Sequence, residues 1–300
     1  YPVVGGSDQA RQRVDDGVDE VVAGRTDPGL LVLPAFSCVG APASRSDAQA
    51  AAERTDGPTV ATLLELAART RKHVVGSYVE KGPEGELFHT MALVTPKGAV
   101  AGQYRQTHLE PSMTSWANAG DQLGVFPTEI GRIGLLACQD VRFPEAAGVL
   151  EVQRADIIAV STQWDGSYGG PLQDAVELFQ QPYPANTMNQ WYSTAKLTQA
   201  YTVVANSVAA DCQGSSGIFT INPVDSDEPP VVASADGTEV VRTTVTTLGD
   251  PTWWMNQAQL IAGRRADLAV PMILDPDSEP FRQWKSARGF DVDAWTAYPG

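Results

Sequence analysis

The most informative part of the sequence is an apolar run that ends at a cysteine, Gly131-Arg132-Ile133-Gly134-Leu135-Leu136-Ala137-Cys138-Gln139-Asp140-Val141-Arg142-Phe143-Pro144-Glu145. The residues before Cys138 have the continuous apolar character of a buried strand, and Pro144 is typical of the first turn of a helix. A side chain at the carboxyl end of a strand, close to a helix N-terminus, is well placed to act as a nucleophile. The position alone fits a small buried cysteine equally well, because free cysteine is among the most buried residue types.

The rest of the chain alternates between short apolar runs and segments with a helical period, which is typical of parallel strands covered by helices. The predicted strands are 30–36, 73–80, 133–137, 156–160 and 201–206, and the predicted helices are 7–22, one that begins at Gly57-Pro58, 144–153 and one around 189–198. Two extended runs within 86–104 flank the turn Pro96-Lys97-Gly98 and predict a hairpin, and 216–221 with 239–246 predict a second hairpin-like pair. The pattern predicts an α/β layered fold.

Composition and charge exclude several classes of protein. The chain has 300 residues, 43% of them hydrophobic, and a formal net charge of −15, so we expect a folded core and neither nucleic acid nor a membrane as partner. Its apolar stretches fall short of the roughly 18 residues of a membrane helix, and its start lacks the features of a signal peptide. The three cysteines, Cys38, Cys138 and Cys212, show no CxxC spacing, which favours a cytoplasmic protein without metal or cofactor. Because the sequence opens at Tyr1 without a methionine, a piece excised from a longer chain is one interpretation.

Several blocks resemble, in order, those of the nitrilase or carbon–nitrogen hydrolase superfamily. They are Leu31-Val32-Leu33-Pro34-Ala35-Phe36-Ser37, Tyr104-Arg105-Gln106-Thr107-His108-Leu109, the cysteine block 138–145, Ala155-Asp156-Ile157-Ile158 with Trp164, Val203-Val204-Ala205-Asn206 and Gly214-Ser215-Ser216-Gly217. The resemblance spans roughly Ser7 to Asp275 and implies a four-layer αββα sandwich. The organisation of the chain favours a single domain over residues 1–300, with a C-terminal arm from about residue 271. The resemblance also implies a homo-oligomer or a subunit of a larger assembly, with a small amide-like molecule as the ligand to expect.

The resemblance assigns a role to each of three positions, and this chain departs at two of them. In the family a Glu of the first block is the general base, a Lys of the second block stabilises the tetrahedral intermediate and the Cys attacks the carbon of an amide or nitrile. Here Ala35 stands at the Glu position and Gln106 at the Lys position, while Cys138 matches the nucleophile. Loss of either group costs about 10²-fold or more in rate. Our main hypothesis is therefore a domain that has lost amide and nitrile hydrolysis and serves a structural, binding or regulatory role.

The alternative is an active thiol-dependent carbon–nitrogen hydrolase, or an acyl transferase, that uses Cys138 with a displaced acid. Glu110 is the first candidate for that acid and Glu145 the second, although neither lies at the matching position. A third interpretation, deliberate replacement of catalytic residues, would more often change the cysteine itself. His108 fits a positioning residue or a structural histidine, and Cys38 fits a core residue better than a neighbour of Cys138. A filled pocket, with Gln106 hydrogen-bonded to main chain and Ala35 backed by larger side chains, would favour the first hypothesis. An open cavity that holds Cys138 with a carboxylate would favour the second.

Overall fold

The computed structural model describes residues 14, 18, 27–164, 185–208, 212, 214–222, 228–235, 237–247, 257–265, 267–269 and 277–287. By contacts the chain divides into two compact units, residues 1–257 and 258–300. The first unit contains both sheets and the candidate site. None of the helices in these ranges combines the length and the hydropathy that a bilayer crossing requires.

The first sheet has four strands, β1 (Leu30–Val32), β2 (His73–Lys81), β3 (Leu87–Val94) and β4 (Val100–Arg105), in the order β1-β2-β3-β4. The pair β1 and β2 is parallel, whereas β2, β3 and β4 are joined as antiparallel neighbours. The predicted hairpin is confirmed: Gly98 turns at φ 80°, a left-handed conformation that glycine adopts without a Cβ clash.

The second sheet has six strands, β5 (Val125–Thr128), β6 (Gly131–Ala137), β7 (Ile157–Thr162), β8 (Tyr201–Asn206), β9 (Gly217–Phe219) and β10 (Val231–Val232), in the order β10-β9-β8-β7-β6-β5. The central strands β6, β7 and β8 run parallel. Because parallel strands end at the same edge, the end of β6, where Cys138 lies, is next to the end of β7 and at the same edge as the end of β8.

The helices are α1 (Arg45–Ala51), α2 (Pro58–Thr70), α3 (Pro144–Val152), α4 (Ala185–Thr198), α5 (Gln257–Gly263) and α6 (Glu279–Ala287). Helix α2 packs on the first sheet through Val60, Leu63 and Leu66, and α3 and α4 pack on the second through Leu150 and Trp191.

Between the sheets lies a shared core formed by Val75, Met91, Leu93, Tyr104, Ile133, Leu135, Ala137 and Ala159. The four predicted layers are therefore confirmed.

Most predicted elements are confirmed within a few residues, but two expectations are wrong. Residues 239–246 do not form a strand, and β9 pairs with β10 instead. The polar, Ala-rich segment expected as a loop contains α1, which Ser44 caps by accepting from the N–H of Asp47. Of the helix expected over 7–22, only Val14 and Val18 lie within the described residues, and both are helical.

Candidate active site

Cys138 lies at the first residue after β6, where the chain changes from strand to a short 3-10 helix, Cys138–Arg142. Its φ is 43°, a left-handed value that costs a non-glycine residue about 1–3 kcal/mol and is held only where the surroundings enforce it. The side chain is 6% exposed, and its Sγ lies 3.8 Å from the carbonyl oxygen of Ser161. Burial, with a smaller effect of the Glu110 charge, raises the pKa of the Cys138 thiol well above its usual value. The thiol is therefore protonated at neutral pH and needs a base before it can attack.

Asp140 fixes the turn that contains Cys138. Its buried carboxylate accepts hydrogen bonds from Ala137 N (2.9 Å), Tyr104 Oη (2.6 Å), Thr107 Oγ1 (3.0 Å), His108 N (2.9 Å) and His108 Nδ1 (3.0 Å). The ring of His108 also stacks on Phe143 at 3.8 Å between centroids. This carboxylate therefore joins the second sequence block to the nucleophile turn, and His108 lies in a positioning role beside it.

Ala35, at the position of the family's general base, offers no group that could accept a proton. It is 1% exposed and belongs to the apolar cluster that also contains Cys138, Phe36 and Trp116. Its carbonyl oxygen accepts a hydrogen bond from Gln163 Nε2 at 3.0 Å. The structure thus places Ala35 near the thiol and leaves it without a chemical role there.

Gln106, at the position of the family's lysine, is buried and uses both ends of its amide. Its Nε2 donates to the carbonyl oxygen of His108 at 2.7 Å and to Glu110 Oε2 at 3.0 Å, and its Oε1 lies 2.7 Å from His89 Nδ1. The carbonyl oxygen of His108 and the carboxylate of Glu110 can only accept hydrogen bonds, so the amide nitrogen of Gln106 must face them. Gln106 is therefore fixed in one orientation.

His89 completes a hydrogen-bond chain that the sequence did not reveal. Burial lowers the pKa of His89 to about 4, so the ring is neutral at pH 7. Since Gln106 Oε1 accepts, Nδ1 carries the hydrogen, and Nε2 must accept from the Ser77 hydroxyl at 2.9 Å. Ser77 Oγ in turn accepts from Phe36 N at 2.9 Å. The chain Phe36, Ser77, His89, Gln106 and Glu110 is satisfied throughout without a cation.

Glu110 brings a carboxylate into the region that Ala35 leaves without one. Its Oε1 accepts from the backbone N–H of Gln139 at 3.0 Å and its Oε2 from Gln106. Burial raises the pKa of Glu110, which makes its carboxylate a better proton acceptor. Glu145, by contrast, is exposed and does not line the cavity described next. Of the two predicted surrogates, the structure places only Glu110 beside Cys138.

A cavity of approximately 200 Å³ remains at this site. Its walls are formed by Phe36, Ala41, Pro42, Ala43, Glu110, Ser112, Met113, Trp116, Cys138, Gln139, Arg142, Thr162, Gln163 and Trp164. Much of this surface is aromatic or apolar, and within this lining the charged side chains are Glu110 and Arg142.

The structure thus combines features of both sequence hypotheses, because the cavity is open while the amide of Gln106 is bonded to main chain.

The described residues contain no group of three or more His, Cys, Asp or Glu side chains that could hold a metal ion. None of the three cysteines forms a disulfide. Cys38 is buried in the cluster between α2 and the first sheet, whereas Cys138 belongs to a different cluster. The lining of the cavity includes the thiol of Cys138, the carboxylate of Glu110 and the guanidinium of Arg142.

Residues 9–262 match the carbon-nitrogen hydrolase family model. The chain is 30% identical over 204 residues to an (R)-stereoselective amidase of Pseudomonas sp, a match that covers 67% of each protein. It is 26% identical over 159 residues to a probable nitrilase of Schizosaccharomyces pombe, covering 52% of this chain and 58% of that protein. The matches thus span about three fifths to two thirds of the length of these curated relatives.

The same architecture occurs in the crystal structure of Nit3 from Saccharomyces cerevisiae, a member of the nitrilase superfamily, with a TM-score of 0.63. The likeness covers 78% of this chain and 84% of that one at 20% sequence identity, so it shows the fold alone. The family match extends over most of the sequence and includes the strands, the nucleophile turn and the cavity described above. The chain therefore belongs to the carbon-nitrogen hydrolase family.

Proposed function

We propose that this chain hydrolyses small amides, with the thiol of Cys138 as nucleophile and the carboxylate of Glu110 as the acid–base group. The observation that carries the proposal is the position of Glu110: a partly buried carboxylate that lines the same cavity as the thiol and bonds to the N–H of Gln139, the residue after Cys138. Its raised pKa suits a group that must accept and return a proton near neutral pH. The similarity to the (R)-stereoselective amidase of Pseudomonas sp supports an amide C–N bond as the bond that is hydrolysed.

The reaction proceeds through a thioester. Glu110 accepts the proton of the Cys138 thiol as Sγ bonds to the amide carbon, and the π electrons of the carbonyl move to its oxygen. Collapse of this intermediate breaks the C–N bond, and the proton held by Glu110 leaves with the amine. Water then attacks the thioester, its proton passes to Glu110, and release of the carboxylic acid restores the thiol.

The cavity limits the substrates that fit. Phe36, Met113 and Trp116 give it apolar walls, and its volume of approximately 200 Å³ accepts a short acyl group. We propose amides of small acids, with the acyl group held against these side chains and the scissile carbon above Cys138.

The test is a hydrolysis assay over small amides, ω-amides and nitriles, with mass spectrometry to detect both the product and a covalent adduct. Wild-type turnover that disappears in Cys138→Ala, and that falls by about 10²-fold or more in Glu110→Gln, supports the proposal. The matched control is Glu145→Ala, which removes an exposed carboxylate outside the cavity and should leave turnover unchanged. Turnover that is insensitive to Glu110→Gln contradicts the assigned base.

A domain without hydrolytic activity is the second candidate, and one observation favours it. The amide of Gln106 is fully bonded and carries no charge, so it cannot replace the lysine's positive charge. This reading predicts a folded protein that is inactive across the panel. It also predicts that Ala35→Glu combined with Gln106→Lys creates turnover, because the nucleophile turn and the cavity are already in place.

A further inference from the structure

The hydroxyl of Thr162 is a buried polar group for which the described residues supply no hydrogen-bond partner. Thr162 is the last residue of β7, it is fully buried, and it lines the same cavity as Cys138. Strands β6 and β7 pair Ala137 with Ser161, so Cys138 and Thr162 are the residues that directly follow this pair. A buried hydroxyl without a partner costs stability, and in a native structure it calls for a functional explanation.

The polar neighbour on the other side of Thr162 is already engaged. Strands β7 and β8 pair Thr162 with Asn206. The Oδ1 of Asn206 accepts from the N–H of Trp164 at 2.8 Å, and its Nδ2 donates to the carbonyl oxygens of Gly214 at 2.9 Å and Trp164 at 3.4 Å. Both ends of the Asn206 amide are therefore bonded, and the lateral neighbour that remains for the Thr162 hydroxyl is Cys138.

The thiol of Cys138 makes little use of this hydroxyl while it is protonated. Its Sγ lies 3.8 Å from the carbonyl oxygen of Ser161, which accepts the thiol hydrogen, and a neutral thiol sulfur is only a weak acceptor. Once the proton is lost, Sγ is charged and becomes a strong acceptor. Burial, and then the Glu110 charge, raise the pKa of the thiol, whereas the backbone N–H of Gln163 and the hydroxyl of Thr162 each lower that pKa because they favour the charged sulfur.

We propose that Thr162 is the thiolate donor of this site: its hydroxyl donates a hydrogen bond to Sγ of Cys138 once the thiol proton has left. Loss of that proton breaks the S–H bond and leaves the electron pair on sulfur. In the proposed hydrolysis the proton passes to Glu110, so this role deepens the proposed function and rests on it for turnover alone. A hydroxyl stabilises the thiolate in this way without a buried cation.

The test measures the rate at which iodoacetamide alkylates Cys138 in the full chain, from about pH 7 to about pH 9. In this reaction the thiolate electron pair forms the S–C bond and iodide leaves, so the rate follows the fraction of thiolate. Peptide mass spectrometry locates the adduct, so that Cys38 and Cys212 do not contribute. In Thr162→Val the sulfur loses its donor and the pKa of the thiol rises, so the rate should fall by about threefold to tenfold at each pH.

Matched variants separate the hydroxyl from general effects. Thr162→Ser keeps the hydroxyl and should restore the wild-type rate. Thr202→Val is the control, because the Thr202 hydroxyl is also buried without a partner but does not line the cavity, and it should alkylate like wild type. Both valine variants remove an unsatisfied hydroxyl and should resist urea at least as well as wild type. Thr162→Ala replaces Thr162→Val if the latter does not fold. The charged groups near the thiol, Glu110, Asp140 and Arg142, are the same in every variant.

A wild-type rate in Thr162→Val overturns the proposal, and so does a Thr162→Ser rate as slow as that of Thr162→Val or an equal fall in Thr202→Val. Alkylation needs no turnover, so the thiolate donor and the hydrolysis can fail separately. If the protein hydrolyses an amide, kcat should fall in Thr162→Val by a similar factor with KM little changed, because the hydroxyl is closed off from the substrate. A change confined to KM would assign the hydroxyl to substrate binding and overturn its role at the sulfur.

Discussion

The first sheet has an outer face, on which α2 packs, and an inner face, which packs on the second sheet, and their polar side chains differ in charge. On the outer face, Arg105 bonds to Glu80 through Nε at 3.0 Å and Nη2 at 2.5 Å, and its guanidinium lies 3.9 Å over the ring of Phe88. On the inner face, one residue further along, Gln106 belongs to a neutral chain with His89 and Ser77. A full ion pair therefore lies one residue away from a hydrogen-bond chain of neutral side chains.

Solvent access explains the difference. The side chain of Arg105 is 37% exposed, so its charge keeps part of its hydration, whereas Gln106 is 1% exposed. A cation at the inner position would lose most of its hydration and would depend on the carboxylate of Glu110, because Ala35 supplies none. A neutral amide with hydrogen-bond partners at both ends is buried there at little cost.

The largest effect should follow from breaking the outer pair. Arg105→Met leaves the carboxylate of Glu80, whose side chain is 4% exposed, without its partner. We expect the free energy of unfolding to fall by about 3 kcal/mol, measured by urea denaturation. Glu80→Gln combined with Arg105→Met should recover most of the loss, because it removes the uncompensated charge. A single variant as stable as wild type would show that water reaches Glu80 and that the two faces do not differ in this way.

A smaller effect should appear on the inner face as a dependence of stability on pH. The pKa of His89 is about 4 in the folded protein against 6.5 in a solvated histidine. Its folded-state pKa is depressed, so the unfolded chain binds the proton first as the pH falls, and stability decreases from about pH 6.5 downward. By linkage we expect His89 to account for a loss of about 2 kcal/mol between pH 8 and pH 5.

His89→Asn provides the comparison, because its side-chain amide can still donate toward Gln106 but does not titrate in this range. The difference between its pH profile and that of wild type isolates His89 from His73, whose pKa burial also lowers. Parallel profiles for the two proteins would mean that His89 is not held neutral.

Much of the fold could be predicted from the sequence because its strands are continuous apolar runs and its blocks stand in family order. The failures occurred where local pattern carries little information. Strand β5 is short and contains Pro127, and β10 has only two residues, so neither has a run that could be recognised. Residues 239–246 have the β-branched composition of a strand, but no described strand pairs with them.

The residues of the candidate site also fall into those that the sequence predicted and those that it did not. Cys138, Ala35, Gln106 and Glu110 were found because each lies in or next to a recognisable block. Ser77 and His89 were missed because their contact depends on strand register: β2 and β3 pair Val79 with His89, which makes Ser77 its diagonal neighbour on the inner face. The alternation of side chains along a strand shows which face of the sheet each residue lies on, but it does not show which residue of the neighbouring strand it pairs with. The hydrogen-bond chain could therefore be seen only after the strands were paired.

The smallest expected effect on the free energy of unfolding comes from removing one hydroxyl on each face of the first sheet. On the inner face, Ser77→Ala leaves Nε2 of His89 without a donor and the N–H of Phe36 without an acceptor. On the outer face, Thr90→Val removes a 2.6 Å bond to Glu80, but Arg105 still satisfies that carboxylate. We expect Ser77→Ala to lower the free energy of unfolding by about 1–2 kcal/mol and Thr90→Val by about half as much. Equal losses, measured under the same denaturation conditions, would contradict the distinction, because they would mean that the neutral chain tolerates a missing partner as well as the ion pair does.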